Sequence, residues 1–457
     1  MPDLHHHTTI SHSIQRPSRR QFLATAAKAG FALCSPMVLP ASTLGRGGAV
    51  APSDRIVMGG IGIGYRGSVL LRSILEQADV HFVAVCDVKM SSRDAAKRMV
   101  DNWYGNSDCT TYRNMQEFLD IRRDIDALVI ATGDRWHALA SVMAMRAGKD
   151  IYCEKPSCMT IAEGQAVVAT ARRYERVYQA GMQRRSEANF ILASELARTG
   201  RLGKLHTVRA QISPYGNTQL RRDWLPAEPE PPEHELDWDA WLGPCPWRPY
   251  NAAYVRFQGN GWREHYDFHT GCIGEWGSHT ISSCQAAVGI DDTPPVAYKF
   301  TKDLSGKGLE MDLSNGIKLV LHRGEFWHGS GSIESGGCAG VRYEGSDGWI
   351  SVADGYTQPE ISAPALRTDF NKTIRNYVAR TQRPLNHLRD FLDCVKLRRQ
   401  PVANPVAMHT TMTAVHAANI CMWLKRDLKC DPATATFLDD SEANRLRSRA
   451  MRVPWVF

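Results

Sequence analysis

The chain has 457 residues, 43% of them hydrophobic and 23% charged, which excludes a disordered or fibrous protein and is long enough for two domains and a large core. Its net charge of +7 is scattered along the chain. No basic block with interleaved aromatic residues marks a nucleic-acid surface, so nucleic acid is not an expected partner.

At the N-terminus, Ser18-Arg19-Arg20-Gln21-Phe22-Leu23 precedes an alanine-rich apolar stretch over residues 24–41, followed by small residues near Ala41 and Ala51. The stretch is too short and too mixed for a membrane span, and the paired arginines before it match a twin-arginine export signal. Residues 1–51 are therefore expected to be a leader, and the mature protein to be periplasmic or otherwise exported, with no integral membrane anchor after signal removal. Of the twelve cysteines, setting aside Cys34 leaves an odd number with no CxxC pair, so neither a disulfide framework nor a zinc site is indicated.

Asp54 to Gly67 follows. Ile56 and Val57 open a short apolar strand that runs into Gly62-Ile63-Gly64-Tyr65-Arg66-Gly67 and then a helix over residues 68–77. Strand, glycine turn and helix form the dinucleotide fingerprint: Gly62 for the tight turn, Gly64 for backbone approach to a pyrophosphate, Gly67 for close helix packing. A second strand, His81 to Cys86, ends in Asp87, about 25 residues past Gly62, where a ribose hydroxyl needs a carboxylate. A carboxylate there favours NAD and disfavours the 2′-phosphate of NADP.

Further strands over 126–132 and 150–153 alternate with helices over 91–103 and up to Ala147. Alternation of this kind predicts a doubly wound parallel sheet with right-handed crossovers over about 54–175. The last of these strands ends in Glu154-Lys155-Pro156, and the carboxyl end of a strand is where an open α/β sheet binds ligands. Beyond residue 175, strand-like segments over 205–213, 296–301, 309–313, 317–322 and 340–343 are separated by turns such as Asn315-Gly316 and Ser346-Asp347-Gly348. Residues 214–265 form a long insertion rich in Trp and Pro, whose aromatic residues suit either sugar rings or plain packing. Helices are expected over 390–399 and 409–424, returning to both domains. The tail, 441–457, ends in Val453-Pro454-Trp455-Val456-Phe457, apolar enough to dock on the body or on a second subunit.

These motifs resemble the Gfo/Idh/MocA superfamily, whose members include glucose-fructose oxidoreductases and inositol dehydrogenases. The resemblance rests on the Gly62–Gly67 turn, Asp87, Ala131-Thr132-Gly133-Asp134-Arg135-Trp136-His137, Glu154-Lys155-Pro156, Gly181-Met182-Gln183-Arg184-Arg185-Ser186 and Leu236 to Pro244. It covers about residues 54–457 and is to an exported branch of sugar-active members. It implies an α/β fold: an N-terminal Rossmann domain (54–175), then an α+β substrate and oligomerisation domain (176–440) with a large, mostly antiparallel sheet, and a tail (441–457). It also implies a homo-oligomer, dimer or tetramer, built through the open face of that sheet. The residues it assigns to cofactor are Gly62, Ile63, Gly64, Tyr65, Arg66, Gly67, Asp87, Thr132, Trp136, His137, Glu154 and Lys155.

Within Gly271 to Ala287, Glu275 and His279 are four apart and share one face if the helix has begun. The resemblance makes His279 the residue facing substrate and nicotinamide; Glu275 stands where the family carries aspartate. Oxidising a sugar carbinol requires the hydroxyl proton to leave with the hydride, and histidine suits that task. Lys155 is expected to hold the same oxygen, with Glu275 orienting His279 or binding a neighbouring hydroxyl. Arg185, Arg263, Tyr266, Asp267 and His269 are candidate sugar ligands. A metal site from His265, Asp267, His269 and His279 is not expected.

Outside the cytoplasm no nucleotide pool recycles the cofactor, so an exported member must keep it and restore its redox state in each cycle. Sugar–sugar oxidoreduction satisfies this. So does glycoside cleavage through transient oxidation, elimination, hydration and re-reduction, as in the NAD-dependent glycoside hydrolases of the superfamily. A non-catalytic sugar-binding protein is the remaining alternative.

Overall fold

The computed structural model describes residues 50–212, 220–256, 261–305, 307–323, 340–354 and 359–457. Apart from its last residues, the expected leader lies outside them, as do parts of the 214–265 insertion. The chain divides into Met1–Arg55 and one compact unit, Ile56–Phe457, in which the following elements lie.

Six strands form a parallel sheet in the order β3-β2-β1-β4-β5-β6: β1 (Ile56–Ile61), β2 (Val80–Cys86), β3 (Thr110–Tyr112), β4 (Ala127–Ile130), β5 (Asp150–Cys153) and β6 (Tyr178–Ala180). β1 pairs in parallel with both β2 and β4, so the winding reverses between them and a crevice opens at their carboxyl ends. All residues of β4 and β5 are buried, as expected for strands covered on both faces. One face packs against helices Tyr65–Leu75 and Met90–Tyr104, the other against Met115–Ile121, Asp134–Arg146 and Ile161–Arg173. The sheet extends past residue 175 to take in β6. The helix His387–Leu397 returns from far along the chain, placing Leu388, Phe391 and Leu392 in the core with Met58 and Tyr152.

A second sheet has nine strands in the order β13-β12-β11-β7-β10-β9-β8-β14-β15. The five strands read from the sequence are β7 (Leu205–Ile212), β8 (Ala297–Lys299), β9 (Leu309–Asp312), β10 (Lys318–Arg323) and β11 (Val341–Gly345). The other four, β12 (Gly348–Val352), β13 (Glu360–Ile361), β14 (Leu428–Asp431) and β15 (Thr436–Phe437), are not among those read from the sequence; β12 continues from β11 through a tight turn, and β14 joins the sheet by pairing with β8 from far along the chain. Among the described strands of this second sheet, only β7 and β10 pair in parallel.

Helix Gly271–Val288 lies on this sheet, with Ile281 and Cys284 in the core beside Val208 and Tyr343, and it ends at Gly289 in the left-handed conformation, φ 71°. Helix Pro405–Leu424 packs beside it. That helix starts at Pro405, one turn before the expected 409, because Asn404 is its N-cap, accepting from the Val406 and Ala407 amides, with Pro405 in its first turn.

Within the insertion, Trp238 stacks on Trp241 at 4.8 Å, and Tyr250, Tyr254 and Phe268 close around them at ring distances of 5.1 to 6.0 Å. Trp238 is thus a packing residue of a small separate core. The tail docks on the body: Arg449 pairs with buried Glu163 at 2.6 Å, Arg452 pairs with Asp239, and Trp455 meets Trp136 edge-on at 5.0 Å.

Candidate active site

A cleft of about 1140 Å³ runs along the carboxyl ends of the parallel strands and reaches helix Gly271–Val288. At one end the glycine turn has the shape that a dinucleotide needs. Gly62 has φ 74°, and a Cβ there would lie 2.5 Å from Thr132 Cγ2, so only glycine fits. At Gly67 a Cβ would sit 3.0 Å from the Gly62 carbonyl, which is the close approach of helix to strand. Gly64 faces open space within the cleft lining, room for a pyrophosphate at the start of helix Tyr65–Leu75. Asp87 lines the cleft at the end of β2, accepting from the Lys89 amide at 2.9 Å, and desolvation raises its carboxyl to about 6. These residues fit a nicotinamide adenine dinucleotide, with the ribose hydroxyls at Asp87.

The insertion closes this end. The Met90 amide donates to Glu235 O at 2.8 Å and the Asp237 amide to Val88 O at 3.2 Å, while Arg113 pairs with Glu233 at 2.9 Å. Farther along, Arg135 Nε donates to Trp241 O at 2.8 Å with its guanidinium 3.6 Å from the Trp241 ring centre, and the Trp136 indole donates to Ala240 O at 3.0 Å. The insertion is therefore sewn to both the loop after β2 and the helix after β4, and the tail fastens it again through Arg452, while Trp455 rests on Trp136.

At the other end lie Lys155, Glu275 and His279. The helix begins at Gly271, so Glu275 and His279 are one turn apart and both line the cleft. Glu275 Oε1 is 3.9 Å from Lys155 Nζ, Oε2 pairs with Arg263, and His269 Nε2 lies 3.9 Å away. Desolvation pushes the Glu275 carboxyl up, but Lys155, Arg263 and His269 outweigh it and hold it below its ordinary value. Burial, reinforced by the charges of Arg184, Lys155 and Arg66, drives His279 well below the usual imidazole range. Its Nδ1 is buried without a hydrogen bond, leaving Nε2 as the nitrogen open to the cleft. At neutral pH it is an unprotonated acceptor. The Glu275 carboxylate is thus directed to Lys155, Arg263 and His269; of the two expected roles, orienting His279 or binding a neighbouring hydroxyl, these contacts do not include His279.

Behind Lys155, the buried Glu154 carboxylate joins three parts of the site. It pairs with Arg66 of the glycine turn at 2.9 Å, accepts from Gln183 Nε2 at 2.9 Å and accepts from the Lys155 amide at 3.1 Å. The Lys155–Pro156 peptide is cis. His137 Nδ1 meets Pro156 O at 2.6 Å and Nε2 meets Thr132 O at 3.1 Å, so its ring braces two loops, with both nitrogens engaged by protein.

Of the remaining assignments, Tyr65, Arg66, Thr132, Trp136 and Arg263 line the cleft. Four do not. Ile63 is 2% exposed and packs in the core with Met58 and Phe82. Arg185 is turned inward, held by Ser282 Oγ at 2.6 Å and by Asp291 at 2.7 and 2.9 Å. Tyr266 packs against Trp423 and under the Arg222 guanidinium, and Asp267 pairs with Arg248. Sequence reasoning missed Arg184, Trp262, Trp276 and Trp455 as lining residues. The adjacent Arg184-Arg185 pair flags a cation there, but not which of the two faces the cleft. His265 is buried with its ring against Tyr254, and among the described residues no three potential metal ligands converge.

A family model described as the oxidoreductase family, NAD-binding Rossmann fold, matches residues 55–182; a second, its C-terminal alpha/beta domain, matches 208–324 and 353–457. Curated relatives include an inositol 2-dehydrogenase of Salmonella paratyphi B, 28% identical over 190 residues (40% of this chain, 53% of that one). A glycosyl hydrolase family 109 protein of Stenotrophomonas maltophilia is 25% identical over 287 residues (60% and 55%). The match thus spans about half the length of these relatives. Among solved structures, myo-inositol 2-dehydrogenase from Lactobacillus plantarum has the same fold, with a TM-score of 0.54 at 17% identity over 82% of this chain and 100% of that one. Matched by both domain models over most of its length, the chain belongs to the Gfo/Idh/MocA oxidoreductase family and carries that family's NAD-binding Rossmann domain.

Proposed function

We propose that this protein is an NAD-dependent oxidoreductase acting on a carbinol of a sugar or sugar derivative. The observation that carries this reading is the convergence of Lys155, His279 and Glu275 at the end of a cleft whose other end is built for a dinucleotide. When bound, the nicotinamide supplies a two-electron acceptor for the hydride of the carbinol carbon. His279 Nε2 takes the hydroxyl proton, for which its unprotonated state is required. The Lys155 ammonium holds the same oxygen and stabilises charge developing on it. Trp262 and Trp276 line this part of the cleft and offer apolar faces to a sugar ring.

The cofactor is retained between turnovers, a reading supported by the insertion and tail that fasten over its groove. Export through the twin-arginine pathway is part of the same proposal and rests on Arg19-Arg20 and the apolar stretch after them. A homo-oligomer formed through the outer face of the second sheet, where Arg342 lies 3.9 Å over the Trp349 ring, completes it. No helix among the described residues is long and apolar enough to cross a membrane.

A second reading is favoured by the glycosyl hydrolase family 109 relatives: the same proton acceptor and lysine serve a redox-neutral glycosidase. Purified protein is mixed with candidate sugars without added nucleotide while nicotinamide absorbance is followed. A change that a second sugar reverses supports oxidoreduction; release of phenol from an aryl glycoside supports the glycosidase. A protein that contains no dinucleotide and takes none up contradicts both.

A further inference from the structure

Glu275 stands between two cations that are not equivalent. Arg263 forms an ion pair with Oε2, whereas Lys155 Nζ stays 3.9 Å from Oε1, beyond hydrogen-bond distance. The ammonium is thus near enough to be attracted and too far to spend a donor. Its other neighbours are the Trp276 ring, with its centre 5.8 Å away, and the cationic side of the site, so no further carboxylate pairs with it among the described residues.

Arg263 does not belong to the catalytic helix. It sits in the short turn Trp262–Glu264 at the end of the insertion. That turn is pinned from both sides: the Arg221 amide donates to Glu264 O at 2.8 Å, the Tyr266 amide donates to Arg221 O at 2.9 Å, and Trp262 packs edge-on against His269 at 5.4 Å. The guanidinium reaches Glu275 from a fixed base and competes with Lys155 for one carboxylate.

We propose that Arg263 is a positioning residue for Lys155: by holding the Glu275 carboxylate it keeps the lysine donors directed to the reacting oxygen of the substrate. The proposal rests on Lys155 serving the proposed oxidoreductase site. Without Arg263, the carboxylate keeps only the ammonium and the His269 ring, which burial disfavours as a cation; it swings onto the ammonium and fixes it in the charged, donor-occupied form. The insertion that covers the dinucleotide then also tunes the catalytic lysine.

The test reads Lys155 itself. Acetic anhydride labels lysines of the protein as purified, nucleotide bound, at pH 8, and mass spectrometry of the Lys155 peptide gives the rate. In Arg263→Gln the rate falls about fivefold or more because a full ion pair holds the amine protonated. In Arg263→Lys it stays within about twofold of the parent, since the carboxylate keeps its second cation. In Arg263→Gln/Glu275→Gln it returns to at least the parent rate. Unchanged labelling in Arg263→Gln, or slow labelling that persists in the double variant, overturns the proposal. Bound nucleotide, measured by absorbance, verifies that each variant is folded. Labelling needs no turnover, so a protein inactive on every sugar still decides the role of Arg263, while the functional reading stands or falls on the sugar assay. Where turnover is measurable, Arg263→Gln lowers kcat and the second substitution restores part of it.

Discussion

The rings of Trp136 and Trp455 meet edge to face, 5.0 Å between centres and 72° between planes. One belongs to the helix after β4, the other to the tail of the chain, and both line the dinucleotide groove. A T-shaped pair of this kind contributes about 1 kcal/mol beyond its buried area. It works with Arg452, which pairs with Asp239 and donates to Gly243 O at 3.0 Å, to fasten the insertion.

Loosening that fastening should speed cofactor loss. In Trp455→Ala/Arg452→Ala, release of bound nucleotide, followed by NADH fluorescence after dilution, is expected to be about tenfold faster, a loss of roughly 1.4 kcal/mol. Release at the parent rate shows that the tail does not contribute to retention.

His279→Ala should lower turnover by about 10² to 10⁴-fold, the usual contribution of a positioned proton acceptor, and leave bound nucleotide in place. Steady-state kinetics and absorbance of the purified variant check the two halves separately. Turnover near that of the parent assigns the proton to another group.

Asp87 gives a pH dependence of known sign. Its carboxyl titrates at about 6 because desolvation disfavours the charge, and a ribose hydroxyl donates to the ionised form. Nucleotide affinity of the cofactor-depleted protein is therefore expected to fall about tenfold between pH 7 and pH 5. Asp87→Asn binds more weakly and loses that slope, as calorimetry or fluorescence titration can show. For folding the sign is opposite. A raised carboxyl favours the protonated native state, so its contribution to stability is complete below the unfolded value near 3.9 and is lost as pH rises through about 6.

Arg185→Ala separates a structural arginine from a substrate ligand. The Arg185 side chain is 2% exposed and clamps Asp291 to Ser282. Its loss is expected to cost about 2 kcal/mol of stability in denaturant unfolding while KM for the sugar stays within about twofold. A large rise in KM with stability unchanged returns Arg185 to the substrate site.

The amino-acid sequence alone determined the local features from which the nucleotide site and the catalytic turn are built. A positive φ at Gly62, a carboxylate at the end of β2, the alternation of short buried strands with helices and the one-turn spacing of Glu275 and His279 are properties of a few neighbouring residues, and they survive whatever the rest of the chain does. The tertiary structure decided what no local pattern carries. Arg184 faces the cleft and Arg185 the core because a 3-10 turn over Gln183–Ser186 sends consecutive side chains in different directions, and contacts with Ser282, Asp291 and Asp354 fix which goes where. Tyr266 and Asp267 turn away while Arg263 and His269 turn in, for the same reason. The groove is closed by residues from the insertion and the tail, far from the glycine turn in sequence, since the free energy that holds them there comes from packing between segments rather than within them.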